Sequence, residues 1–299
     1  MTLIECIEHH TRQLEQAGVA FGHGTENAFD EAVWLILWQL GLPLASALND
    51  DAIANKLLSG AEVSKCQALI HTRIQTRKPA AYLTHEAWLQ GVPFYIDERS
   101  IVPRSLIAEL LVEGGLDYWM NASTQRVLDL CTGNGSLAVI AAITYPDIIV
   151  TASDLSAQAL EVAHINVAKH GLQHQIKLLE ANGLDLPVLL PHGLFDMILC
   201  NPPYVNAKSM RLLPLEFQAE PALALDGNTA GNTDGMDFIR GLLQTAASAL
   251  GPEGILVLEV GNERDYFEAA FPKLEAIWLQ TSAGEDQVVL LTKSALENC

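Results

Sequence analysis

Apolar residues over positions 3–75 recur at helical spacing, as in Leu3, Ile7 and Leu14 and again Val33, Leu37 and Leu40, with breaks at Gly22, Gly24 and Pro43. That spacing predicts a small helical bundle. Over 82–102 the pattern turns toward alternation, with Trp88 and Leu89 before Gln90-Gly91 and Phe94 and Ile96 after, as a β-hairpin requires. Beyond Pro103 a helix is expected from Ser105 to about Met120. Short apolar runs then alternate with helical patterns. Strands are expected at 126–130, 148–153, 176–179, 195–200 and 255–260, and helices from about 136, over 157–170 and over 237–250. Two late β runs near 277–280 and 288–292 can close the sheet. Strands alternating with helices imply a parallel sheet covered on both faces, so the fold class is α/β.

Composition narrows the class. With 299 residues, 49% of them apolar, the chain supports one full α/β domain plus a smaller attachment. The formal charge of −19 argues against sliding along nucleic acid, whose phosphates are bound chiefly by Lys and Arg, and favours a basic partner. Solubility alone is the competing explanation of that charge. Glu5 and Glu8 interrupt the place where an export signal's apolar run would sit. The stretch 32–38 is too short to span a bilayer, so no membrane association is expected. The cysteines are Cys6, Cys66, Cys131, Cys200 and Cys299, an odd number without CxxC spacing. Neither a disulfide framework nor a zinc site follows, and reduced thiols in a cytoplasmic protein are expected. His85, His164, His170 and His174 have no HExxH-like spacing, so no metal is expected. Trp34, Trp38 and Trp88 read as core residues.

The candidate chemistry sits at strand ends. The first strand of the α/β region runs into Asp129, Leu130, Cys131, Thr132, Gly133, Asn134, Gly135 and Ser136, where the next helix begins. A glycine-rich first βα turn suits a nucleoside-bearing cofactor, because ligands of open α/β sheets bind beyond the carboxyl ends of strands. Leu137 and Ala138 stand where the third glycine of GxGxxG would fall, which tilts the reading away from a dinucleotide. About twenty residues on, Asp154 ends the next strand, placed to accept hydrogen bonds from ribose hydroxyls. Its competing role is a helix N-cap, which Ser156 could also supply. Asn182 follows the third strand, where its amide can either read an adenine edge or form a turn with Gly183.

The most specific feature is the tetrapeptide Asn201, Pro202, Pro203 and Tyr204 at the end of the 195–200 strand. Two prolines make a stiff segment that offers carbonyl acceptors rather than N–H donors. A planar NH2 group on an sp² carbon is a poor nucleophile and needs orientation. The Asn201 side-chain oxygen and the Pro202 carbonyl can take its two hydrogens, with Tyr204 stacked on the planar group. A local Asx-turn at Asn201 is the bland alternative.

At these residues the sequence resembles the HemK family of protein-(glutamine-N5) methyltransferases, and within it the PrmB branch, which modifies a ribosomal large-subunit protein. The likeness covers nearly the whole chain. It includes Lys78-Pro79-Ala80-Ala81-Tyr82-Leu83, Ile101-Val102-Pro103-Arg104-Ser105, Ile107-Ala108-Glu109-Leu110, Leu128-Asp129-Leu130-Cys131-Thr132-Gly133, Val205 after the tetrapeptide, and Glu220-Pro221-Ala222-Leu223-Ala224-Leu225. Pro103-Arg104-Ser105 and Cys131-Thr132-Gly133 favour this branch over the release-factor branch, PrmC. The resemblance implies a helical substrate-recognition domain over 1–80, a β-hairpin linker over 81–102 and, over 103–299, a Rossmann-like class I methyltransferase domain with a seven-stranded, mostly parallel sheet. It further implies S-adenosylmethionine as cofactor, held by Asp129, Cys131, Thr132, Gly133, Asn134, Gly135, Asp154, Asn182 and Asn201. The substrate amide would meet residues 201–204, and a basic ribosomal protein would be the substrate, with no stable nucleic-acid binding. Three departures stand out. Asn182 replaces a common Asp, 226–234 is longer than usual, and Gly284-Glu285-Asp286-Gln287 replaces a more glycine-rich turn. The last two are expected to alter loops without touching catalysis.

Adenine-N6 methylation is the main rival, since adenine's exocyclic amine is also planar and suits the same clamp after base flipping. The acidic balance and lack of a basic patch weigh against it. A noncatalytic assembly factor with this fold, and hydride transfer with NAD, are further alternatives. The intact loop and clamp oppose the first of these, and the glycine spacing opposes the second.

Overall fold

Thr2 and Ser59 each open a helix with a reciprocal capping box, Glu5 and Glu62 returning the bond, and so start Leu3–Ala17 and Gly60–Thr76. The computed structural model describes residues 1–46, 48–120, 124–190 and 193–298; Cys299 lies outside them. These two helices and Ala28–Gln39 turn their apolar faces inward, burying among others Leu3, Ile7, Leu14, Leu35 and Ile70. They belong to a compact unit made of Met1–Ala87 and, from far along the chain, Leu213–Ala219. At its centre lies Arg73, fully buried. Its guanidinium donates to Glu31 Oε1 (2.8 Å), Glu216 Oε1 (3.2 Å) and the Ala20 carbonyl (2.9 Å).

The second unit comprises Trp88–Leu212 and Glu220–Cys299. The hairpin is shorter than the alternation suggests. Residues Ala80–Thr84, including Tyr82, form a helix, and the strands are β1 (Ala87–Leu89) and β2 (Val92–Phe94). Between them Gln90 and Gly91 both have positive φ, as a two-residue type I′ turn demands. The helix expected over 105–120 is also shorter, Ile107–Val112, because Gly114-Gly115 break the helical run.

Beyond it lie β3 (Arg126–Leu130), β4 (Ile149–Asp154), β5 (Ile176–Glu180), β6 (Phe195–Cys200), β7 (Leu250–Glu259), β8 (Ile277–Thr281) and β9 (Gly284–Thr292). They form one sheet in the order β5-β4-β3-β6-β7-β9-β8. All neighbours are parallel except β9, which runs antiparallel to both β7 and β8. Along β6 the side chains alternate between two cores, Met197 and Leu199 in one and Ile198 and Cys200 in the other. Burial on both faces explains why Met197 to Cys200 read as an unbroken apolar run rather than an alternating one. The chain builds outward from β3 through β4 to β5, then returns to β3's other side as β6. The order therefore reverses between β3 and β6, and the crevice beyond their carboxyl ends is where open α/β sheets bind ligands.

Candidate active site

Leu130 lies opposite Cys200 in the β3–β6 register, so the turn 131–135 and the segment 201–204 leave the sheet side by side. On β3's other side Leu130 is opposite Ser153, which brings Asp154 to the same edge. Three motifs far apart in sequence thus meet at one crevice.

The turn is braced from behind. Asp129 is buried, and its Oδ2 accepts from the Thr132 hydroxyl and from the Ala138 amide at 3.0 Å. The Thr132 amide donates to the Ser153 carbonyl at 2.9 Å. Asn134 donates through Nδ2 to the Ile101 carbonyl (2.8 Å) and accepts from Ser136 N through Oδ1 (3.0 Å). Gly135 is needed for close packing, because a Cβ there would lie 3.1 Å from the Ala163 Cβ.

Among the described residues the other Asp129 oxygen has no hydrogen-bond partner, and burial pushes the carboxyl up to about 7. That is above the ordinary value of an unfolded chain, about 4, so the folded protein holds a proton through the interval between the two. The resulting stability is whole below the unfolded value and is lost as pH rises through about 7. Wild-type protein is therefore expected to lose more thermal stability than Asp129→Asn between about pH 5 and about pH 8. Parallel melting curves for the two proteins across that range would contradict the assignment.

Asp154 accepts from Gly133 N through Oδ2 and from Ser156 N through Oδ1, each at 2.8 Å, and burial raises its carboxyl above the usual range. The helix Ala157–Lys169 is capped by Ser156, whose hydroxyl accepts from Ala159 N at 3.2 Å, so the cap role falls to Ser156. A carboxylate has about four acceptor positions, and the Gly133, Ser156 and Leu155 amides engage three of those on Asp154. Asn182 combines both of its anticipated features. Its Oδ1 accepts from Leu184 N at 3.2 Å in a turn, and the residue also faces the crevice.

The crevice holds a cavity of about 360 Å³, within the range of small-molecule sites. Cys131, Gly133, Asp154, Asn182, Asn201 and Pro203 line it. Asp129, Thr132, Asn134 and Gly135 stand behind this lining, Pro202 is buried, and Tyr204 turns its hydroxyl to Glu259 Oε1 at 3.4 Å. Within the described residues no hydrogen bond occupies the Asn201 side-chain amide, so no Asx-turn claims it.

Other lining residues carry no motif. Leu155, Leu184 and Phe238 give the cavity apolar walls. Thr229 and Ala230 also line it, so the long 226–234 segment is part of the site rather than a remote loop variation. Its shape is set by Asp237, which accepts from Ala230 N and Asn232 Nδ2. Asn166 ties the 131–135 turn to the segment after the hairpin, donating to the Asn134 and Tyr95 carbonyls (2.9 and 3.0 Å) and accepting from Tyr95 N (2.7 Å). Its sequence signal is a polar residue on the buried stripe formed by Ala159, Val162 and Ala163. Arg104 and Glu220 form a bidentate pair at 2.6 and 2.7 Å, and Val102 N donates to the same carboxylate at 2.9 Å. The pair joins the 101–105 and 220–225 motifs.

A family model described as "Methyltransferase small domain" matches residues 109–228. The ribosomal protein uL3 glutamine methyltransferase of Bordetella pertussis is 48% identical, over 99% of this chain and 96% of its own length. The protein of that name from Neisseria meningitidis serogroup B is 44% identical, with 99% and 94% covered. The one from Bradyrhizobium diazoefficiens is 40% identical, with 99% and 92% covered. Among solved structures, the catalytic domain of hMettl16 in complex with MAT2A 3'UTR hairpin 6 aligns with a TM-score of 0.51 at 12% identity, covering 78% of this chain and 81% of that one. At that identity the likeness is one of fold, the Rossmann-like class I methyltransferase fold. With similarity to curated relatives along nearly its whole length, the chain belongs to the family of ribosomal protein uL3 glutamine methyltransferases.

Proposed function

We propose that this enzyme methylates the side-chain amide nitrogen of a glutamine in ribosomal protein uL3, with Asn201 as the residue that orients the amide. The observation that carries the residue assignment is the β3–β6 register, which sets the uncommitted Asn201 amide on the same cavity as Cys131, Gly133 and Asp154. S-adenosylmethionine is the methyl donor and, when bound, supplies an electrophilic methyl on a sulfonium. The residues fit such a nucleoside. Asp154 keeps an acceptor position for a ribose hydroxyl, Asn182 keeps its NH2 for the adenine edge, and Leu155 and Phe238 offer apolar faces to the base.

On the acceptor side, the Asn201 oxygen and the Pro202 carbonyl take the two amide hydrogens, while Pro203 forms the wall. Two acceptors fix the plane of the amide and so the direction of the nitrogen lone pair. No strong base is required, because the nitrogen becomes acidic as it takes the methyl and its proton leaves late. A charge of −19 suits a basic ribosomal protein met in the cytoplasm and disfavours stable binding to RNA or DNA. No helix among the described residues is long and apolar enough to cross a membrane.

Asp154→Ala removes a charged acceptor for the ribose, an interaction of about 1.5–3 kcal/mol. Calorimetry is expected to show cofactor affinity falling roughly 10- to 100-fold with the fold intact; unchanged affinity would remove Asp154 from the site. The substrate class is tested by offering uL3, a release factor and ribosomal RNA side by side with labelled cofactor. Label in uL3 alone is expected, and label in release factor or RNA alone would overturn the assignment.

A further inference from the structure

Glu259, the last residue of β7, is a buried carboxylate outside the cavity lining. Its Oε2 accepts from the Ser105 hydroxyl (2.5 Å) and Leu106 N (3.0 Å), and its Oε1 accepts from the Tyr204 hydroxyl (3.4 Å). Two residues on, Gly261 lies against Tyr204 at φ +52°, and a Cβ there would fall 2.6 Å from the ring's Cε2. The end of β7 therefore meets Tyr204 twice, at its hydroxyl and at the adjoining ring edge atoms. Further along the same loop, Glu263 accepts from Asn206 Nδ2 through both oxygens, at 2.7 and 2.8 Å. A buried carboxylate is costly to keep unless donors satisfy it, and here the donors come from the 103–106 turn and the acceptor loop together.

From this geometry we infer that Glu259 is a positioning residue for methyl transfer, setting the Tyr204 ring and hence the plane in which the acceptor amide is presented. The inference rests on the assignment of residues 201–204 to the acceptor amide. The carboxylate does not touch the reacting atoms. It acts through Tyr204 and makes the 103–106 turn part of the same rigid frame, with Arg104 fixed by Glu220 on one side of that turn and Ser105 fixed by Glu259 on the other. Glutamine at 259 preserves volume. Its single oxygen can serve Ser105 and Leu106, but its NH2 then donates to the Tyr204 hydroxyl, which must turn its own hydrogen elsewhere, so the link is reversed and the ring's position changes with it.

The test measures steady-state methylation of uL3 by wild type, Asn201→Ala, Tyr204→Phe, Glu259→Gln and the Tyr204→Phe/Glu259→Gln double variant. Each protein's cofactor affinity and melting temperature are measured alongside. Glu259→Gln is expected to lower kcat roughly 10- to 100-fold, as misplacement of reacting groups does, with KM for uL3, cofactor affinity and melting temperature unchanged. The double variant is expected to be no slower than the slower single one, since both changes act on one link. Wild-type kcat in Glu259→Gln beside a crippled Asn201→Ala overturns the inference and leaves the acceptor assignment standing. Losses that multiply in the double variant also overturn it. Wild-type kcat in Asn201→Ala removes the acceptor assignment and the inference with it. If Glu259→Gln does not fold, Tyr204→Phe decides alone: a kcat loss at unchanged KM supports the link, and wild-type kcat overturns it.

Discussion

Replacing Asn201 with alanine is expected to lower kcat for uL3 methylation roughly 100-fold or more, while the protein stays folded. The physical basis is the poor nucleophilicity of an amide nitrogen, whose lone pair is shared with its carbonyl. Transfer depends on holding that nitrogen in line with the methyl, and one acceptor cannot fix the plane that two acceptors fix. Asn201 is half-buried at the end of β6, and among the described residues its side chain forms no hydrogen bond that supports the loop. Truncation therefore removes chemistry rather than structure. Asn201→Asp offers a sharper comparison. It keeps the acceptor but places a carboxylate beside the proposed sulfonium site, stabilising the cation more before transfer than during it, so cofactor affinity is expected to rise and kcat to fall less than in Asn201→Ala. Rapid-quench turnover and calorimetry on the two variants check this; a kcat within twofold of wild type for Asn201→Ala would remove Asn201 from the acceptor role.

The second large effect concerns stability. Arg73→Met is expected to cost about 3–5 kcal/mol of unfolding free energy, because it leaves Glu31 buried without its cation. Glu31 is nearly free of solvent contact, and burial already raises its carboxyl while Arg73 opposes that shift. Glu216 is less exposed to the loss, since Arg77 Nε also reaches its Oε1, at 2.9 Å. Adding Glu31→Gln to Arg73→Met is expected to restore most of the lost stability, as replacing a whole buried ion pair costs far less than breaking one. Urea unfolding of the single and double variants measures the difference. Equal stabilities for Arg73→Met and wild type would show that the buried pair contributes nothing. Because Glu216 belongs to 213–219, the single change also loosens one of that segment's ties to the helical unit.

How much of this was legible in the chain depends on whether the determinant is local. β3 and β6 are bounded as the sequence predicts, because burial on both faces fills them with apolar residues, Arg126, Asp129 and Asp196 excepted. β7 begins earlier than expected, at Leu250, since Gly251, Pro252 and Gly254 read as a turn and only its pairing with β6 draws that stretch into the strand. The 131–135 turn and the tetrapeptide are legible because glycine permits, and proline fixes, backbone shape in any context. Glu259 was not visible, as a Glu closing an apolar strand looks like an ordinary exit to solvent. Nor was the Arg73–Glu216 pair, whose members stand 143 residues apart with no shared period. The lining by Thr229 and Ala230 was missed for a related reason: the 226–237 loop takes its shape from Asp237 and from the Val205–Asp226 bridge, contacts that exist only in the fold.

On the proposed reading, the Asn201 loop presents a glutamine amide of uL3 to the cofactor. Its most direct test is to incubate purified enzyme with S-adenosylmethionine and uL3 and locate the methyl by fragmentation mass spectrometry. One methyl on the side-chain nitrogen of a single glutamine, absent with Asn201→Ala, is the expected result. A methyl on any other atom, or the same glutamine methylated as fast by Asn201→Ala, would contradict it.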